Sequence, residues 1–318
     1  MLRRLLPFAL AALVVAPAAL ADGGGSTVAA EGVLAPGGKI RYAALAKGRS
    51  TTVNASRSNG VVVRWRDIRG HWAIPGVTVD GAAGGLSGDG RTLVLMQLQT
   101  APVQTRSVFQ VIRTSDLAPV QRVVLKGNFA FDALSPNGAQ LYLIQHVSRQ
   151  NLNRYVVRAY ALDGRRLLPG RIADRTQRGW VMAGYPVARA TSAGGRWVYT
   201  FYVRPGGYPF VHALDTVRGV AHCVGLPWRT KQQALWTLRL AFRDGGRTIA
   251  LLWPSGRRYL AFSRDTWRIE HPRPARPAGS GFPWWTVWVG LAAAAALAGG
   301  LGRRRIRGYA LRARAATN

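Results

Sequence analysis

The chain has a single cysteine, Cys223, so no disulfide can form within it and its stability must come from packing. Acids are scarce too: 13 Asp and Glu face 44 Lys and Arg, only four of them lysine, for a formal charge of +31 over 318 residues. Most of these acids neighbour turn residues, as Asp89, Asp116, Asp163, Asp244 and Asp265 do, which leaves few carboxylates for paired acid–base work. Asp80 and Asp132 also precede turns and read first as turn acceptors, although either could point into the mouth of the domain. The G-x-S-x-G elbow, the P-loop, the G-x-G-x-x-G fingerprint, H-E-x-x-H and any C-x-x-C pair are all missing. Several large enzyme classes thereby lose their usual signal, while a site assembled from separate segments stays open.

Histidine is thin as well, with five in the chain. His212 and His222 flank the turn Thr216 to Gly219 and could face each other across a hairpin, but two imidazoles without a third ligand are not a metal site. Cys223, within Val220-Ala221-His222-Cys223-Val224, reads as a small buried apolar group rather than a reactive thiol. No catalytic residue, cofactor or metal is nominated on these grounds.

What the sequence does contain begins at its two ends. Residues 1–21 pair Arg3 and Arg4 with an apolar run and finish in Ala19 and Ala21, the layout of a secretory signal peptide cut before Asp22. Residues 284–302 carry no charge, about the length that crosses the hydrocarbon core, so they predict a transmembrane helix. Trp284, Trp285 and Trp288 suit one headgroup region, and Arg303, Arg304, Arg305 and Arg307 put the tail, 303–318, on the cytoplasmic side. The LPxTG signal of wall-sorted proteins is absent before Phe282. Residues 271–283, rich in proline and glycine, predict an extended stalk. A domain over 22–270 would then lie outside the cytoplasm at the cell membrane. Without Arg3, Arg4 and the six arginines of the tail the exported part, domain and stalk together, keeps +23 of the charge, which favours anionic neighbours. A GC-rich genome would account for part of that arginine excess.

The exported region shows no long 3.6-residue periodicity but many short β-branched and aromatic runs between turn residues, which predicts an all-β fold. One unit recurs five times: LAPGGKIRYAAL, LSGDGRTLVLMQ, LSPNGAQLYLIQ, TSAGGRWVYTFY and FRDGGRTIALLW. Its shared glycines, Gly38, Gly90, Gly138, Gly195 and Gly246, are spaced by 52, 48, 57 and 51 residues. Gly37, Asp89, Asn137, Gly194 or Gly245 precedes them, types that tolerate the positive φ of a tight turn. A second hairpin follows each unit more loosely, so about 50 residues supply four strands, the size of one propeller blade. The expectation is a β-propeller of about five four-stranded blades, with a closing strand shared from the N-terminus, plus one C-terminal transmembrane helix. A β-sandwich with repeated turn chemistry is the alternative.

Ser135-Pro136-Asn137-Gly138 with Leu141-Tyr142, and Ala213-Leu214-Asp215-Thr216 later on, resemble the YVTN type of β-propeller repeat, whose blades carry a Ser-Pro-Asp-Gly turn. The first repeat departs from it by placing Arg41 where the others have Leu93, Leu141, Val198 and Ile249. Some propellers of this general kind sit beside redox or hydrolytic machinery. The resemblance therefore implies either a binding or protein-interaction module, or a tethered envelope enzyme (hydrolase, lyase or redox) with a site at the propeller mouth. Tyr202-Val203-Arg204-Pro205-Gly206-Gly207-Tyr208 joins aromatic and cationic groups, and Trp180 and Tyr185 precede it. These five residues, Trp180, Tyr185, Tyr202, Arg204 and Tyr208, are the ligand-binding candidates, suited to an anionic or sugar partner. The expected partners are an anionic envelope component or a membrane protein. Nucleic acid follows from charge alone, and export argues against it.

Overall fold

A computed structural model describes residues 27–99, 101, 103–177, 181–227 and 230–270. The signal peptide, the stalk, the transmembrane segment, the basic tail and Trp180 lie outside the described residues. Among the described residues no helix is long and apolar enough to cross a membrane.

The fold is all-β. A first sheet is built from β1 (Val33–Leu34), β2 (Ile40–Lys47), β3 (Ser50–Arg57) and β4 (Val62–Arg69), and a second from β5 (Trp72–Ala73), β6 (Thr92–Gln97), β7 (Arg106–Arg113) and β8 (Ala118–Lys126). The third holds β9 (Phe129–Leu134), β10 (Gln140–His146), β11 (Arg154–Ala161) and β12 (Arg166–Leu167), with β13 (Met182–Ala183) added to β11. The fourth is β14 (Tyr185–Thr191), β15 (Trp197–Val203), β16 (Phe210–Asp215) and β17 (Val220–Gly225); the fifth is β18 (Arg239–Arg243), β19 (Thr248–Leu252), β20 (Arg258–Ser263) and β21 (Ile269–Glu270). Strand order follows chain order in every sheet, and every pairing between these strands is antiparallel. The sheet that closes the described chain is completed by its own β21, so among the described residues no N-terminal strand is shared with it.

Strands of this composition carry apolar side chains on both faces, and a sheet with two apolar faces needs a neighbour on each side. Apolar clusters accordingly join first sheet to second, second to third, third to fourth and fourth to fifth. First strands approach one another: β14 runs against β18, and Val79, in the loop after β5, donates its N–H to the Pro186 carbonyl in β14 (2.9 Å). This is the blade arrangement of a β-propeller.

The repeated turns gather at one end of the blades. Their shared glycines all have positive φ, between +71° and +87°. Asp89 and Asn137 do not; they act as acceptors instead, taking the Ser87 and Ser135 hydroxyls and the N–H groups of Arg91 and Ala139. Ser87, Ser135 and Ser192 in turn accept N–H groups from Thr92, Gln140 and Trp197, five residues on. The turns touch one another, with the Asp89 N–H donating to the Pro136 carbonyl (2.9 Å).

The chain passes from blade to blade at the opposite end through a second device, at Gly70, Gly127 and Gly184, where φ is +102°, +117° and +139°. The second residue of the third strand in each of the first three blades holds that glycine's carbonyl through a hydroxyl: Thr51 (2.8 Å), Ser107 (2.9 Å) and Tyr155 (3.3 Å). Thr51 and Ser107 also accept the N–H of the aromatic that opens the next blade, Trp72 and Phe129. A Cβ on Gly127 would lie 3.2 Å from the Phe129 ring, so the position wants glycine on two counts.

Ser107→Ala should leave the buried Phe129 N–H without an acceptor and destabilise the domain by about 2 kcal/mol. Ser107→Thr, which keeps the hydroxyl, should recover most of that, as read by urea unfolding followed by circular dichroism.

Candidate functional site

Two places gather chemistry-bearing side chains. The first lies between the third and fourth blades. Directly opposed residues share a face, and the register Arg189↔Thr200, Thr200↔His212, His212↔Cys223 lays one polar row across the fourth blade. It separates two apolar clusters, one with Val198 and Leu214, the other with Tyr202 and Phe210.

Facing this row is Asp132. In β9, Ala133 opposes Tyr142 and Phe131 opposes Leu143, so Asp132 is the extra residue of a β-bulge, a device that redirects a side chain. It forms an ion pair with Arg189, which also donates to the Asp132 carbonyl. The carboxylate is 3% exposed and Arg189 10%.

Enclosure sets the chemistry of this row. Burial, reinforced by the Arg189 cation, pushes the His212 pKa down to about 4 against the opposing pull of Asp132 and Asp174. The ring is therefore neutral at pH 7. Burial, with Asp174 adding to it, pushes the Cys223 thiol up to about 12, so it is neither thiolate nor nucleophile. Tyr155 and Tyr202, close by with ring centroids 5.9 Å apart, are both pushed up by burial. Asp132 Oδ2, Arg189 Nε and His212 Nε2 are buried and have no hydrogen-bond partner among the described residues. No group of three His, Cys, Asp or Glu that could hold a metal occurs among the described residues. What these groups can do here is orient two blades against each other.

His222 does not face His212. Its register partner is Ala213, so the two rings project to opposite sides of the sheet. His222 meets Asp174 through Nδ1 (3.0 Å) and lies over Trp267 of the fifth blade at 4.4 Å between centroids. Asp80 is the turn acceptor expected, taking the Thr78 hydroxyl, while Asp132 is not.

The second place is an open cleft of about 580 Å³ between the first and second blades, at the end where the chain crosses between blades. Arg49, Arg69 and Arg106 line it with His71 and the amides of Gln97, Gln99 and Gln104, and no acid does. Each arginine is carried by a strand end or the residue beside one, held there by ladder geometry: Gly70 donates its N–H to the Arg49 carbonyl (2.9 Å) and Leu98 to the His71 carbonyl (2.9 Å). The His71 Nε2 donates to the Gly48 carbonyl (2.5 Å), which fixes the ring in the wall. The three guanidiniums and the amides form a donor-rich surface matched to phosphate, carboxylate or sulfate groups. Sequence reasoning missed this cleft because its residues come from strand ends far apart in the chain.

The candidates named from sequence separate. Tyr202 belongs to β15, is 2% exposed and stacks on Phe210 (5.0 Å), so it lies inside rather than on a rim loop. Tyr185 packs against Trp236 at 5.4 Å. Arg204 and Tyr208 are exposed in the β15–β16 loop, and the Arg204 carbonyl accepts the Gln232 amide. Trp180 is outside the described residues. Among the described residues, Tyr185, Tyr202, Arg204 and Tyr208 form no single pocket.

No family model matches the chain, and no curated protein matches it in sequence. Among solved structures it is similar to the periplasmic gluconolactonase of Pseudomonas aeruginosa (19% identity, TM-score 0.43, covering 75% of this chain and 67% of that one). It is also similar to TolB from Acinetobacter baumannii (13%, 0.42, 74% and 52%), of whose length it spans about half. Hydrazine synthase of Kuenenia stuttgartiensis is comparable (14%, 0.40, 76% and 70%).

Asp132→Ala should destabilise the domain by about 3 kcal/mol, because it leaves the Arg189 cation buried and unpaired. His212 bears on pH. An unfolded histidine titrates near 6.5, whereas this one holds out to about 4, so between those values the unfolded chain takes up a proton that the native chain refuses. Stability should therefore fall as pH drops through that window, by about 3 kcal/mol at its lower limit. His212→Gln should flatten this decline in denaturant titrations run at fixed pH.

Proposed function

We propose that the chain is an exported, membrane-tethered β-propeller of the YVTN repeat type that acts as a binding module, taking an anionic envelope component in the cleft between its first and second blades. The observation that carries this is the cleft lining: three arginines and three glutamine amides with no carboxylate among them. Such a surface binds by charge and hydrogen bonding and carries out no bond chemistry of its own. The signal peptide and the 284–302 segment supply the address and the tether. The gathering of His212, Cys223 and Asp132 gives little support to a catalytic alternative, since it is enclosed and its thiol is protonated.

The test is titration of the full-length protein in detergent with a fluorescent polyphosphate, used as a model polyanion. Arg49→Glu with Arg106→Glu should weaken binding at least tenfold and lower its salt dependence, while Arg91→Glu, in a repeat turn, should leave both unchanged. Equal loss in the two variants would show attraction by net charge without a site.

A further inference from the structure

We infer that the whole end of the domain carrying the cleft is a lipid-facing surface, whose ligand is the anionic phospholipid headgroup of the membrane to which the chain is tethered. This rests on the binding reading above and names its ligand.

The strand order places the connections in two sets. At one end lie the turns between first and second strands and between third and fourth strands; at the other lie the loops between second and third strands and the crossings to the next blade. The acids divide unequally between them. Asp89, Asp116, Asp163, Asp215, Asp244 and Asp265 all sit in the turn set. The loop and crossing set, over 47–50, 69–72, 97–106, 126–129, 146–154, 203–210, 225–239 and 252–258, has no Asp or Glu at all. The one crossing that holds an acid, 168–184, keeps Asp174 buried against Thr176, Cys223 and His222.

Cations are exposed across that acid-poor end, for example at Arg49, Arg69, Arg106, Arg149, Arg204 and Arg257. None of these six takes part in an ion pair among the described residues, although Arg258 at the edge of the same set pairs with Glu270 (3.8 Å); in the turn set Arg113, Arg196 and Arg264 pair with Asp116, Asp215 and Asp265. A field of mostly unpaired guanidiniums spread over five blades, with exposed Asp67 and Asp80 and the Glu270 partner of Arg258 as the acids nearest it, is wider than one soluble ligand requires. It matches an extended anionic plane, to which each cation contributes within a screening length of about 8 Å at physiological ionic strength. Exposed Tyr208 and half-exposed Trp236 lie at the same end, residue types that settle at headgroup level. The direction of the last strand agrees. β20 starts beside the 252–258 loop and β21 runs antiparallel to it, pairing Glu270 with Ala261, so β21 itself points toward the cationic end.

Phenylglyoxal footprinting of the unaltered full-length chain in nanodiscs, read by mass spectrometry, tests this without any variant. In discs containing anionic phospholipid, Arg49, Arg106, Arg149, Arg204 and Arg257 should react at least fivefold more slowly than in purely zwitterionic discs. Arg91 and Arg165, in the turns, should react equally in both, and 1 M salt should remove the protection. Equal reactivity of the loop-end arginines in the two discs overturns the inference. If soluble polyphosphate then still protects Arg49, Arg69 and Arg106 in zwitterionic discs, the cleft binds a free anion and only the lipid assignment falls. If polyphosphate protects none of them, the binding reading falls with it.

Discussion

Everything in this domain depends on how one four-stranded sheet hands the chain to the next. A sheet with apolar side chains on both faces is stable only between neighbours, and at the first two crossings the backbone leaves an outer strand and returns to an inner one in two residues. Positive φ at Gly70 and Gly127 makes that reversal, and a hydroxyl from the third strand ties the glycine carbonyl to the aromatic N–H that starts the next blade. Because the hydroxyl satisfies both groups, the reversal is buried without an unpaired backbone polar group. The third crossing uses Tyr155 in place of the small hydroxyl, and there the chain takes a longer route over 168–184.

That longer route coincides with the most polar of the blade interfaces. At the other interfaces between consecutive sheets a single apolar cluster joins the two; between third and fourth blades two small clusters flank the Arg189–Thr200–His212–Cys223 row. An ion pair inside such an interface contributes little net stability compared with apolar packing, but it tolerates few alternative alignments. Asp132 reaches Arg189 only because a bulge turns it out of the ladder, so the pair fixes the register of one blade against the other.

Much of this was legible from sequence where the physical demand is local. A tight turn needs positive φ, so glycine recurs at 38, 90, 138, 195 and 246 and exposes the repeat. The crossings share glycine as well, but the residues after it are His-Trp, Asn-Phe and Tyr-Pro and the partner is Thr, Ser or Tyr on a distant strand, so no common string marks them. The histidine pair failed by one position. The hairpin closes with Asp215 opposite Val220, which sets His212 against Cys223 rather than His222, and a shift of one residue moves a side chain to the other face. Pro205 and the glycines after it suggest a loop around Tyr202, yet pairing with Phe210 carries the strand on to Val203. The bulge at Asp132 and the cleft arginines depend on register and on contacts across blades, neither of which a single sequence displays.

The same topology explains why a charge pattern invisible along the chain becomes a polarity in space. An up-and-down sheet sends alternate connections to opposite ends, so residues that alternate along the sequence are sorted into two populations. Short hairpin turns demand side chains that accept nearby N–H groups, and Asp supplies this at Asp89, Asp116 and Asp215. Acids are therefore drawn to the turn end by local backbone chemistry, whatever the domain binds. The crossings at Gly70, Gly127 and Gly184 tie their glycine carbonyls with neutral hydroxyls, and only the 168–184 crossing uses a carboxylate, the buried Asp174. With arginine abundant everywhere, the result is one end where several charges are neutralised in pairs and one where most are not. A cationic surface of this kind needs no dedicated set of positive residues; it arises wherever the fold withholds acids, and binding can exploit it at no cost to packing.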